Sequence, residues 1–214
     1  CLSSLCCGAA AGAPPPVPAV PTSRFALRAA ARPDRLRCTR RLLLDPRSDR
    51  EGAPVIAIGI DPGVTGAIAF VDGRGSCVIE DLPTLALPGE GRIGRRIDGA
   101  ALAKIIRANC PIGIAAEALV EGQRAMGGKN NAVQIHFSLG RTVGSIEAVL
   151  EVLRIPHTAI DPQKWKGFYG LGEIKRESIQ KAAQLYPLSF LKQAKDHNKA
   201  EALLIAHYLK RHAE

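Results

Sequence analysis

The sequence predicts an α/β domain built on a five-stranded mixed sheet with helices on its faces. Three observations carry that expectation. Residues 55–82 hold three apolar runs joined by short turns, as in an antiparallel meander. Beyond Asp98 the pattern changes to alternating helix and strand, and two helical stretches close the chain.

The composition separates this domain from what precedes it. The formal net charge is +9, but residues 1–50 carry nine arginines and no lysine against three aspartates, hence +6, and residues 51–214 carry 20 Lys and Arg against 17 Asp and Glu, hence +3. Most of the basicity therefore lies in the leader, and a nucleic-acid surface on the domain must come from local clustering of charge. Residues 1–52 are rich in Ala, Pro, Ser and Arg, hold Pro14-Pro15-Pro16, and have no acid before Asp34. Such a stretch has no apolar period with which to offset its chain entropy and is expected to be disordered. Arg-rich, Ser-containing and acid-poor, it has the composition of an organelle transit peptide, and it lacks the continuous apolar core of a secretory signal. A basic arm for nonspecific DNA contact is the alternative. The chain begins at Cys1 rather than Met, which is expected to place the true start upstream.

Cys1, Cys6, Cys7 and Cys38 fall in the leader and only Cys77 and Cys110 in the domain, without a Cys-x-x-Cys pair. Neither a zinc site nor a disulfide framework is expected, and a reducing compartment fits. No stretch approaches the roughly 20 apolar residues of a membrane span, so a soluble protein without membrane partners is expected.

Within the domain (residues 53–214), Val55-Ile56-Ala57-Ile58-Gly59-Ile60-Asp61 reads as a strand ending at a carboxylate. Pro62, Gly63 and Gly66 turn the chain into a second apolar run. Asp72-Gly73-Arg74-Gly75 leads to a third strand, residues 77–82. A Gly- and Arg-rich loop with Arg92, Arg95 and Arg96 precedes a helix over 98–109, with Leu102, Ile105 and Ile106 on one face and Asp98 as N-cap. Residues 112–121 form a fourth strand, again ending at a carboxylate. A flexible segment, 122–130, opens a long helix over 131–153. Inside it Gly140 and Gly144 stand one turn apart, each less favourable than Ala by about 1 kcal/mol. Close approach of another helix, within the domain or across a dimer, would account for both. His157-Thr158-Ala159-Ile160 is a fifth strand, residues 162–170 a basic loop with three aromatics, and residues 173–185 and 198–211 the closing helices. This element order is that of the ribonuclease H-like fold.

A phosphodiesterase on such a frame needs two divalent cations roughly 4 Å apart, held by three or four carboxylates from distant parts of the chain. The candidates are Asp61, Glu121, Asp196 and Glu201. Each competes with a plainer role: Asp61 as a turn residue, Asp196 as a loop acid, and Glu201 as the partner of Asn198 in a capping box. Glu121 competes with Glu117, four residues away on the same strand face. Lys175 opens a helix, where a cation opposes the macrodipole, so an anion such as a phosphate nearby would favour it; a solvated surface lysine is the alternative.

Four motifs in order, Ile58-Gly59-Ile60-Asp61-Pro62-Gly63-Val64-Thr65-Gly66, Val120-Glu121 with Ala125-Met126, Asp161-Pro162-Gln163-Lys164-Trp165-Lys166, and Lys195-Asp196-His197-Asn198-Lys199-Ala200-Glu201-Ala202, resemble the RuvC-like Holliday junction resolvases. With an Arg-rich leader, the chain is most similar to the plant chloroplast branch of that family. The resemblance covers about residues 55–211. It assigns the metal-binding acids to Asp61, to Glu121 in preference to Glu117, and to Asp196 and Glu201, and puts Lys175 beside the scissile phosphate. The chain departs from the bacterial pattern of two aspartates three residues apart, since Asn198 precedes Glu201 by three.

The resemblance implies a homodimer that binds four-way DNA junctions and makes two symmetric nicks with Mg²⁺, two ions per site, for which Mn²⁺ substitutes. No nucleotide cofactor is implied, and the products carry 5′-phosphates. Gln123, Arg124, Met126, Lys129, Lys164, Lys166 and Lys175 are the implied DNA contacts, with Gln123 and Met126 at the bases. Chloroplast DNA recombination is the implied setting, ahead of the mitochondrion. Two rival readings remain: a noncatalytic DNA-binding relative, and an actin-like ATPase or sugar kinase, whose first phosphate loop Asp61–Gly66 resembles but whose second loop and adenosine domain do not fit in the residues that remain.

Overall fold

The computed structural model describes residues 36–37, 55–87, 94–122, 132–172, 174–187, 191 and 193–213. In chain order the elements are β1 (Leu36–Arg37), β2 (Ile56–Asp61), β3 (Ala67–Val71), β4 (Cys77–Asp81), β5 (Thr84–Ala86), β6 (Arg95–Ile97), α1 (Gly99–Asn109), β7 (Ala116–Glu121), α2 (Ala132–Val152), β8 (His157–Ile160), α3 (Pro162–Tyr169), α4 (Lys175–Leu185) and α5 (His197–Ala213), with a single 3₁₀ turn at Ala194–Asp196. None of the described helices is long and apolar enough to cross a membrane.

The main sheet runs β1-β4-β3-β2-β7-β8. Strands β2, β3 and β4 pair antiparallel, whereas β7 lies parallel to β2 and β8 parallel to β7. A three-stranded meander whose first strand is central, extended by two parallel strands, is the ribonuclease H-like arrangement. The two-residue β1 pairs with the outer edge of β4.

Both faces of the sheet are covered, which is why β2 and β3 read as continuous apolar runs rather than alternating ones. Successive side chains of β2 point to opposite faces. Ile56, Ile58 and Ile60 meet Leu102 and Ile106 of α1 and Ile146 and Leu150 of α2. Ala57 faces the other way, into a core with Leu203 and Ala206 of α5 and the buried Trp165 of α3. Gly59 shares that face and fixes how close α5 comes. A Cβ built on it would overlap the Ala202 carbonyl oxygen and the Ala206 amide nitrogen.

The helix expected after Asp98 forms as read: Asp98 Oδ1 accepts from the Ala101 amide at 3.0 Å, satisfying an orphan donor of the first turn. Three local expectations are corrected and a fourth is narrowed. The Gly- and Arg-rich loop ends in a strand, β6, which pairs with β5 in a separate two-stranded ribbon; three-residue strands are too short to leave a period in the sequence. Strand β7 starts at Ala116, because Gly113, at φ 93°, turns the chain and leaves Ile112 87% exposed. The basic segment after β8 is a helix, α3, rather than a loop. Asp161 caps it through the Gln163 amide at 2.8 Å, Pro162 occupies its first turn, and Gly170 ends it at φ 65°, the usual Pro-start, Gly-stop asymmetry. Finally, a Cβ built on Gly140 or Gly144 would meet no atom of the described residues within 4 Å. The inward stripe of α2 is Thr142, Ile146 and Leu150, so among the described residues no helix approaches the two glycines.

Candidate active site

Strand register and pleat bring the first two acids together. Ile60 stands opposite Val120 in the parallel pair β2/β7, which places Asp61 and Glu121 at the next position along, at the C-terminal ends of neighbouring strands. Each lies two residues beyond a side chain, or a bare Cα, that faces α5: Leu119 on β7 and Gly59 on β2. Both carboxylates therefore project to the α5 side. Glu117 shares that face but lies four residues back along β7, roughly 13 Å at the usual strand rise. Depth along the strand, which periodicity alone does not give, separates the two glutamates.

The third acid arrives on α5. Because Gly59 admits the helix backbone at Ala202 and Ala206, Glu201 sits over the ends of β2 and β7, 5% exposed. It caps no helix. Its Oε1 meets Lys166 Nζ at 2.8 Å and accepts from Ser178 Oγ at 3.3 Å, and its Oε2 lies 3.3 Å from His197 Nε2. Asn198 instead ties α5 to the turn after β2, donating through Nδ2 to the Thr65 carbonyl at 2.6 Å. That turn is closed by Gly66 N to Gly63 O at 3.0 Å, and a Cβ on Gly66 would overlap the Asp61 carbonyl oxygen.

The electrostatics record how short the cluster is of positive charge. Burial, together with the Glu201 charge, raises Asp61 to about 7 against the opposing pull of Lys166. Burial raises Glu121 to about 8, with Asp61 and Glu201 adding to it, Lys166 opposing and Asp161 adding a little more. Burial alone would lower Lys166, but its hydrogen bond to Glu201 and the charges of Glu201, Glu121 and Asp61 outweigh it and hold the ammonium above its usual value. His197 is lowered, by burial first and by Lys175 and Lys166, with Glu201 pulling the other way.

These shifts set a pH dependence. Asp61 and Glu121 bind a proton more tightly in the folded chain than in the unfolded one, where their values are 3.8 and 4.5. Between those values and about 7 to 8 the folded state therefore holds more protons, and stability falls as the pH rises through that window. Thermal melts without added divalent ion are expected to show a midpoint about 5 °C or more lower at pH 8.5 than at pH 5.5. A flat profile across that range would remove the carboxylate cluster as an interacting unit.

No protein-family model matches the chain, and no curated protein sequence matches it. Solved structures of RuvC are among those that resemble it. One is RuvC from Thermus thermophilus, at 17% identity and a TM-score of 0.44, covering 74% of this chain and 96% of that one. The other is T. thermophilus RuvC in complex with a Holliday junction substrate, at 16% identity and a TM-score of 0.44, covering 72% and 90%.

The remaining residues singled out in the sequence fall in different places. Asp196 is buried in the 3₁₀ turn before α5, where its Oδ2 accepts from the Gln193 amide at 2.9 Å in a capping box. Lys175 is exposed at the start of α4, close enough for its charge to lower His197. Lys164 is exposed on α3. Gln123, Arg124, Met126 and Lys129 lie outside the described residues. Among the described residues, no three His, Cys, Asp or Glu side chains stand close enough as arranged to share one metal ion.

Three contributors were missed or misplaced in the sequence. Lys166, read there as a DNA contact, has its ammonium inside the acid cluster, while Ser178 and His197 were not singled out at all. The Asp161-Pro162 start and Gly170 stop would have revealed α3 as a helix, but not that one turn of it enters the site.

Proposed function

We propose that the chain is an endonuclease that resolves four-way DNA junctions by paired symmetric nicks, hydrolysing phosphodiesters with divalent metal. One observation carries the reading: Asp61 and Glu121 stand side by side at the ends of parallel strands, under Glu201, with the Lys166 ammonium among the three carboxylates. Hard oxygen donors with an excess of negative charge fit Mg²⁺, or Mn²⁺ in its place. Asp61, Glu121 and Glu201 would hold the metal, and Asp196 joins them from the turn before α5. When bound, the metal supplies an activated water and charge stabilisation at the scissile phosphate, the chemistry of two-metal nucleases.

The chain's own residues supply position and charge. Lys175, exposed at the mouth of the site, engages the scissile phosphate, and exposed Lys164 engages the flanking backbone. The segment holding Gln123, Arg124, Met126 and Lys129 follows β7 directly from Glu121, which supports its assignment to base contact at the crossover. Two coordinated cuts need two sites at fixed spacing, hence a homodimer. The open face of α2 at Gly140 and Gly144 supports that helix as the two-fold contact. The Arg-rich, acid-poor leader supports an organelle address, and the motif resemblance to the plant chloroplast branch favours the chloroplast, and with it a place in the recombination and segregation of chloroplast DNA.

Incubation of the purified chain with labelled four-way junctions tests the activity. With Mg²⁺ or Mn²⁺, symmetric nicks bearing 5′-phosphates and 3′-hydroxyls are expected on opposite strands, and chelation should abolish them. Junctions bound but left whole in either metal would defeat the nuclease reading in favour of a noncatalytic DNA-binding protein.

A further inference from the structure

We propose that Lys166 is a displaceable counter-cation, which a divalent ion must exchange off Glu201 before the site can be loaded. The inference rests on the metal-nuclease reading and goes beyond it, because it makes metal entry and lysine release one event.

Both oxygens of Glu201 are already engaged. Lys166 Nζ and Ser178 Oγ share Oε1 at 2.8 and 3.3 Å, and His197 Nε2 takes Oε2 at 3.3 Å. Oε1 already has two partners, so a metal that binds through that oxygen has to displace one of them. Ser178 is buried within α4 and His197 belongs to the first turn of α5, and both side chains are short, so neither can withdraw far from Glu201. Lys166 is different. Its side chain is 27% exposed against 7% for Glu201, and it reaches the site on a flexible four-carbon stem from an eight-residue helix. The helix itself stays anchored by the fully buried Trp165, over whose ring the ammonium lies 5.1 Å from the centroid.

The same carboxylates attract both cations. Lys166 feels Glu201, Glu121 and Asp61 together, the three acids that would hold the metal. A dication and an ammonium a few ångströms apart in a largely buried site repel by several times the thermal energy, so the two do not occupy it together. Release of Lys166 also frees Glu201 to turn toward Asp61 and Glu121. This accounts for the absence, among the described residues, of three acids already close enough to share an ion. The freed ammonium is left at the edge of the site, where an incoming phosphate is its natural partner.

Two measurements on the full chain test the exchange. In brief amine acetylation read by mass spectrometry, Lys166 should react about tenfold more slowly than exposed Lys164 without added divalent ion, and approach it at saturating Mg²⁺. In calorimetry, Lys166→Met should bind Mg²⁺ about tenfold more tightly than the unaltered chain, the ratio expected when a competing partner is removed. If Mg²⁺ binds but the labelling ratio and the affinity are unchanged, the exchange is wrong and the nuclease reading stands. A lysine with only a structural role would lower the melting temperature of Lys166→Met and leave the labelling insensitive to Mg²⁺, which also overturns the proposal. If neither protein binds Mg²⁺ or Mn²⁺ at millimolar concentration, the metal-dependent reading itself fails, and the exchange with it.

Discussion

Asp61→Asn is expected to lower junction cleavage by at least about 1,000-fold while leaving the fold and junction binding in place. The carboxylate is the member of the cluster on the central strand, so its loss removes an anionic ligand from the middle of the set, and a 1,000-fold decrease corresponds to about 4 kcal/mol of transition-state stabilisation. Asn keeps the size and one oxygen, so the turn through Pro62 to Gly66 is undisturbed. Stability should move the opposite way from activity. Burial and Glu201 hold Asp61 at about 7, so at pH 8 its ionised form is a burden on the folded state. Removing the charge should stabilise the chain by on the order of 1–2 kcal/mol in the absence of metal. Cleavage assays, gel shifts on the same junctions and melts at pH 8 separate the two roles. A variant that melts lower and loses binding together with cutting would identify Asp61 as a structural residue.

The largest effect on stability is expected from Gly59→Ala. The added methyl would overlap the Ala202 carbonyl oxygen and the Ala206 amide nitrogen and lie 2.9 Å from the Ala206 Cα. All three are backbone atoms of a helix hydrogen-bonded along its length, so no side-chain rotation relieves the clash. Either α5 lifts from the sheet or β2 is pushed out of register, at about 3 kcal/mol or more. Cleavage should fall too, because Glu201 rides on α5 one residue before the contact. Gly63→Ala is the control. Its nearest neighbours lie at 3.6 Å or beyond, and its urea midpoint should remain close to that of the unaltered chain. Equal midpoints for the two variants would show that α5 does not rest on Gly59.

Asp61 and Glu121 illustrate how far the sequence reaches. Each ends a largely apolar run, and a buried strand that stops at a carboxylate is visible in one dimension. What places them together is the parallel register of β2 with β7, a property of two segments roughly sixty residues apart. Glu117 and Glu121 share a face by period, and only the end of the sheet distinguishes them. Glu201 looked as much a capping residue as a ligand, because Asn198 stands three residues before it. In the folded chain Asn198 reaches across to Thr65 instead, and the capping box belongs to Gln193 and Asp196.

By itself the sequence determined the mixed sheet with its meander and parallel extension, the N-cap at Asp98, and the four acids worth asking about, because these depend on the period of apolar residues and on local turn and cap chemistry. Tertiary structure decided that Asp61, Glu121 and Glu201 share a field, that Gly59 is where α5 comes close to the sheet, and that Lys166 enters the acid cluster. Those outcomes depend on the separation of backbones that meet only after folding, and no local pattern of side chains encodes such a distance.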